Sequence, residues 1–161
     1  MRRIISDGDT MASGKGGRRP GESYYRAMAE FRYQIRRFQR FSEQVAQAAG
    51  VEPQQHQLML CVHGLPAGQR PTIRTLADRL LLKHHSVVEL VDRSERQGLV
   101  RRVADRHDRR QVLVELTPKG ERILRRIFSQ NSQRLRSQSH ELSVALAKIA
   151  REQRPGGRSR G

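Results

Sequence analysis

At 161 residues the chain is long enough for one domain with its own apolar core, and 32 Lys and Arg against 16 Asp and Glu give it a formal charge of +16. No apolar run approaches the roughly 18 residues that would span a bilayer, the first residues lack the apolar stretch of a signal peptide, and a lone cysteine, Cys61, excludes an intramolecular disulfide framework or a cysteine-rich zinc site. A cytoplasmic location with no membrane association, no metal and no cofactor is the resulting expectation. Residues 1–21 and 151–161 each carry +3, so the stretch between them keeps +10. A body this basic, and not merely basic ends, points to a phosphate-rich partner.

In chain order, residues 1–21 hold Gly8, Gly14, Gly16, Gly17, Pro20 and Gly21 among scattered charges and read as a disordered basic arm. Gly14-Lys15-Gly16-Gly17 looks like a phosphate loop only superficially, because it follows no strand. A single folded domain is expected over 22–152. From Ser23 to about Ala49, Met28, Phe31, Ile35, Phe38 and Val45 make an apolar stripe at helical spacing, with Arg26, Arg32, Arg36, Arg37 and Arg40 largely elsewhere. Gly50 ends this helix. Pro53 begins a second, which Gly64-Leu65-Pro66 terminates after His63. Thr72 caps a third helix through Leu80, whose inner face is Ile73, Leu76, Ala77 and Leu80.

After the break Leu81-Leu82-Lys83, a fourth helix is expected from His84 to about Gln97, with Val87, Leu90 and Val91 inward and Gly98 just past its end. Residues 99–116 alternate apolar and polar on both sides of a charged turn, the pattern of a β-hairpin. Thr117-Pro118 is a helix N-cap followed by proline at the first helical position. A fifth helix should run from Pro118 to about Arg136 and a sixth from Ser139 to Glu152, before a disordered basic tail over 153–161.

The expected fold class is therefore mainly α with a small β-hairpin wing: a winged helix-turn-helix with flanking dimerisation helices. Two short helices joined by a few residues, the second followed by a hairpin, form the architecture of major-groove readers. In such a reader His84, His85, Ser86 and Glu89 lie at the start of the fourth helix, away from its apolar face. Val88 among them could meet a thymine methyl. Thr72 and Lys83 are candidates for phosphate contact, Thr72 because it opens a helix whose free N–H groups and dipole favour anions. At the hairpin tip Arg106, Arg109 and Arg110 could reach a minor groove, while Asp108 orients a neighbouring arginine. Solvated residues and local caps remain the alternative for His84 and His85, and a solvated loop with surface ion pairs for the tip.

The helix TIRTLADRL (Thr72–Leu80), the segment LVDRSERQGLVRR (Leu90–Arg102) and above all DRRQVLVELTPKG (Asp108–Gly120) resemble the MarR family of winged-helix transcriptional regulators. The resemblance covers about residues 22–152. It implies that Asp108 and Arg110 are the Asp-x-Arg pair of the wing, that this arginine enters the minor groove, and that the fourth helix occupies the major groove. It also implies a homodimer built from the first and last helices, repression of transcription, and release of DNA by a small aromatic effector. Phe31, Phe38, His56, Met59 and His63 could line an effector pocket, or simply fill a core. Cys61, between Leu60 and Val62, reads as an ordinary buried thiol.

An enzyme would need a convergent set of polar residues, and the chain has no G-x-S-x-G, P-loop or H-E-x-x-H motif. The serious rival to a sequence-specific regulator is a sequence-non-specific, architectural nucleic-acid binder using the same basic surface.

Overall fold

The computed structural model describes residues 21–106, 108 and 111–152. The expected arms over 1–20 and 153–161, and the tip residues His107, Arg109 and Arg110, lie outside the described residues. Five helices and one hairpin follow in order: α1 (Glu22–Ala48), α2 (Pro53–His63), α3 (Ile73–Leu80), α4 (His84–Arg96), β1 (Val100–Ala104), β2 (Val112–Leu116) and α5 (Pro118–Glu152).

Local chemistry sets the boundaries. Gly50, at φ 77°, takes the left-handed turn after α1 without a Cβ penalty. Pro53 opens α2, where the Gln55 side chain accepts from the Glu52 N–H at 3.1 Å. Thr72 caps α3 as expected, its hydroxyl accepting from the Thr75 N–H at 3.1 Å. Thr117 does the same for α5, accepting from the Gly120 N–H at 3.0 Å.

One expectation is corrected: the fifth and sixth helices are a single α5 running from Pro118 to Glu152. The expected break, after Arg136 and up to Ser139, contains neither glycine nor proline. Its serines turn their hydroxyls back onto the preceding turn, Ser137 to the Arg134 carbonyl and Ser139 to the Arg136 carbonyl, both at 2.8 Å. Serine bonded in this way stays helical.

The main core joins α2, α3, α4, the hairpin and the start of α5 through Leu58, Met59, Leu76, Val87, Leu90, Val91, Leu99, Val100, Val114 and Leu124. A smaller cluster of Val45, Ala46 and Ile127 fastens the end of α1 to α5. Farther along these two long helices the seam turns small and polar. Ala27, Gln34 and Ser42 are buried on α1; Asn131, Gln138, Ala145 and Ile149 are buried on α5. The Asn131 amide donates to Ser42 Oγ at 2.9 Å. The stripe expected on α1 is thus offset: Met28, Phe31, Ile35 and Phe38 are only half-buried, because the closest approach to α5 is made by smaller neighbours. No helix among the described residues is long and apolar enough to cross a membrane.

Candidate nucleic-acid interface

α4 is anchored by one face and free on the other. Val87, Leu90 and Val91 are buried, and Ser94 fixes the same side by donating to the Leu90 carbonyl at 2.7 Å. At the opposite side of its first two turns His84, His85 and Glu89 are exposed, with Ser86 and Val88 half-buried between them. Lys83, exposed, occupies the N-cap position, yet no side chain caps the helix and no acid lies in its first turn. The N–H groups and positive dipole end of α4 therefore face outward unblocked, a favourable arrangement for an anion or a base-edge acceptor. Of the residues expected to face a partner, Lys83, His84, His85 and Glu89 are thus exposed at the start of α4, while Ser86 and Val88 are partly covered.

The wing is tied to that helix pair at three places. In the antiparallel hairpin Val100 pairs with Leu116 and Ala104 with Val112. Its inner edge continues into the segment before α3, where the Val114 N–H donates to the Pro71 carbonyl at 2.9 Å and Thr72 bridges Leu113. At the outer end of β1 the buried Asp105 carboxylate forms an ion pair with Arg70. On the other side Arg102 reaches both Asp92 and Glu95 of α4, each at 2.6 Å. The Arg102 N–H also donates to Glu95 Oε1 at 2.8 Å. That backbone bond, foremost, holds the Glu95 carboxyl below its ordinary range, with the Arg102 guanidinium adding to it.

Of the tip residues, Arg106 is exposed and Asp108 is half-buried. Asp108 accepts from the Gln111 side-chain amide at 3.0 Å, and the Gln111 N–H donates to its carbonyl at 2.8 Å, which closes the turn. Arg109 and Arg110 lie outside the described residues. Sequence reasoning missed Arg70 and Arg102. Nothing in linear spacing marks them, since their partners lie on other elements.

The residues chosen for a pocket divide between four places. Phe38 and His56 line a cavity of about 730 Å³ between α1, α2 and α5, together with Ser42, Leu60, Phe128 and Asn131. His63 lines a neighbouring hollow of about 320 Å³ that shares Leu60, Leu124 and Phe128. Met59 is wholly buried in the main core, and Phe31 is half-buried on α1 outside both linings. Burial lowers the pKa of His56, so its imidazole is neutral at physiological pH. Cys61 is half-buried, and burial raises its thiol pKa against the opposing effect of Arg79. A thiol so held is a poor nucleophile. Among the described residues no cluster of three or more His, Cys, Asp or Glu is placed to hold a metal ion.

Comparison with known proteins bears on this arrangement. Residues 49–111, from the end of α1 to the start of β2, match the model of the MarR family. An uncharacterized HTH-type transcriptional regulator of Bacillus subtilis, YsmB, is 37% identical over 65 residues, a match that spans 40% of this chain and 44% of that protein. A MarR family protein from Bacillus stearothermophilus superimposes with a TM-score of 0.60 at 26% identity, over 80% of this chain and 93% of that one. A mutant MarR from E. coli, complexed with operator DNA, shares the fold with a TM-score of 0.58 at 17% identity, over 76% and 90% of the two chains. Over its matched segment this chain is thus similar to the MarR family, and it shares the mainly helical winged-helix fold of the solved MarR structures.

Proposed function

We propose that the protein is a sequence-specific, double-stranded-DNA-binding transcription regulator that acts as a homodimer. The observation that carries this reading is the outward start of α4, uncapped and free of acids in its first turn, on a helix locked from behind by Val87, Leu90 and Val91. His84, His85, Ser86, Val88 and Glu89 are then the base-reading group, and Thr72, Lys83 and the wing arginines Arg106, Arg109 and Arg110 bind phosphate and minor groove. The basic body supplies attraction that is independent of sequence.

Dimerisation is favoured by the apolar side chains exposed along α1 and α5: Tyr25, Tyr33, Phe128, Leu135, Val144 and Leu146. The cavity beside Phe38 and His56 is the natural seat for a small aromatic effector, since it lies between the long helices and α2. Its walls are mostly apolar. Its polar anchors include Asn131, whose carbonyl oxygen is buried without a partner among the described residues. Effector binding there would change the seam on which the two reading heads are mounted, the action expected of a repressor released by its ligand.

Selection of duplexes from a randomised pool by the purified protein tests the reading. The expected product is a pseudo-palindrome with half-sites about one helical turn apart. Enrichment of no sequence, with equal binding to all duplexes at physiological salt, would replace the regulator by an architectural binder.

A further inference from the structure

Leu81 closes α3 in the left-handed conformation, at φ 55° and ψ 39°, and is the one non-glycine residue with positive φ among the described residues. Its side chain is 91% exposed, more than any other large apolar residue described. The two facts together are unexpected. A left-handed L-residue is strained by the close approach of its Cβ to the backbone, which glycine avoids and asparagine tolerates. Burial of the leucyl group could offset that strain, but here it is withheld. Folding therefore gives no reason for leucine at this turn, and residues held in sparsely populated backbone regions concentrate at functional sites.

The surroundings say what would cover it. Leu81 lies two residues before the N-cap of α4, between the exposed Arg79 and the exposed Lys83, His84 and His85. A hydrophobic partner protein would have to bury those cations and polar groups, whereas duplex DNA neutralises them. Along the major groove the apolar feature offered at a base edge is the 5-methyl group of thymine. We propose that Leu81 is an apolar specificity residue that packs on a thymine methyl at the edge of the groove entered by α4. This rests on the regulator reading and adds to it a contact outside the recognition helix.

The test uses the full-length protein and a duplex that the wild type has selected. Leu81→Gly and Leu81→Asn both relieve the left-handed strain, so neither variant should melt below the wild type by more than a degree or two. Both should nonetheless bind the selected duplex about tenfold more weakly, the scale set by partial burial of one leucine. Replacing thymines by uracil one at a time should find a position where loss of the methyl weakens the wild type about threefold to fourfold and leaves Leu81→Gly unaffected. Variants that bind as tightly as the wild type, or that weaken without coupling to any single thymine methyl, overturn the proposal while the regulator reading stands. A wild type that selects no duplex overturns both.

Discussion

Arg102 on β1 and Glu95 on α4 hold the wing to that helix by two bonds at once, one from the guanidinium at 2.6 Å and one from the backbone N–H at 2.8 Å. Asp92, one turn earlier on α4, takes the other arm of the same guanidinium at 2.6 Å. The angle between helix and hairpin is thereby fixed by a bidentate fork and not only by apolar packing, which tolerates rotation more readily.

Arg102→Ala should cost about 1–2 kcal/mol of stability, the scale of hydrogen bonds to charged groups at a partly exposed site. Arg102→Lys should recover little of it, because one ammonium lacks the planar fork that spans two carboxylates. Urea unfolding of the three proteins checks both statements, with the arginine clasp excluded if alanine and wild type share a midpoint.

Gly120, in the first turn of α5, is buried against the backbone of Leu99: a Cβ built there would lie 2.0 Å from the Leu99 carbonyl oxygen. No flexible side chain can yield at that contact. Gly120→Ala should therefore destabilise by about 2 kcal/mol or more, despite the better helix propensity of alanine. Thermal denaturation should show a melting point several degrees lower; an unchanged one would mean that α5 can shift away from the hairpin freely.

Acidification should weaken the fold in two stages. His56 has its pKa lowered by burial, so between neutrality and its folded pKa the unfolded chain takes up a proton that the folded chain refuses. Its contribution is full above the ordinary value of 6.5 and is lost as pH falls below that. Glu95 is lowered mainly by its bond from the Arg102 N–H, so its contribution is present above 4.5 and disappears as pH falls through the folded value. Stability measured from pH 8 to pH 5 should decline for the wild type and flatten in His56→Gln. A parallel decline in that variant would assign the slope to other groups.

Arg110→Ala should weaken binding to a selected duplex by about 1–3 kcal/mol without changing the melting point, the loss expected of a groove-inserted arginine. Equal titrations of variant and wild type in a gel-shift assay would remove Arg110 from the interface. For His85→Ala, exposed at the start of α4, the expected effect is a changed base preference in duplex selection; an unaltered selected sequence would assign His85 to solvent.

The elements that rest on local chemistry were legible in the chain. Thr72 and Thr117 cap helices because a hydroxyl three residues before an orphan N–H does so wherever the backbone allows. The hairpin follows from alternation at Val112, Val114 and Leu116 around a turn rich in Asp and Arg. Periodicity also identified the buried side of α4. It failed on the length of α5, where the polar stretch between Arg136 and Ser139 looked like a break but contains nothing that interrupts a helix, and on α1, whose bulkiest apolar residues are not its most buried.

Sequence alone thus determined a basic winged-helix chain, the order of its elements and the outward group at His84–Glu89, since each depends on residues a few positions apart. Only the tertiary structure decided that Arg70 meets Asp105, that Arg102 clasps α4, that Phe38 and His56 share a cavity, and that Leu81 stands strained and exposed just before α4. Such pairings depend on how helices and strands pack in three dimensions. Partners ten or more residues apart leave no periodic trace along the chain.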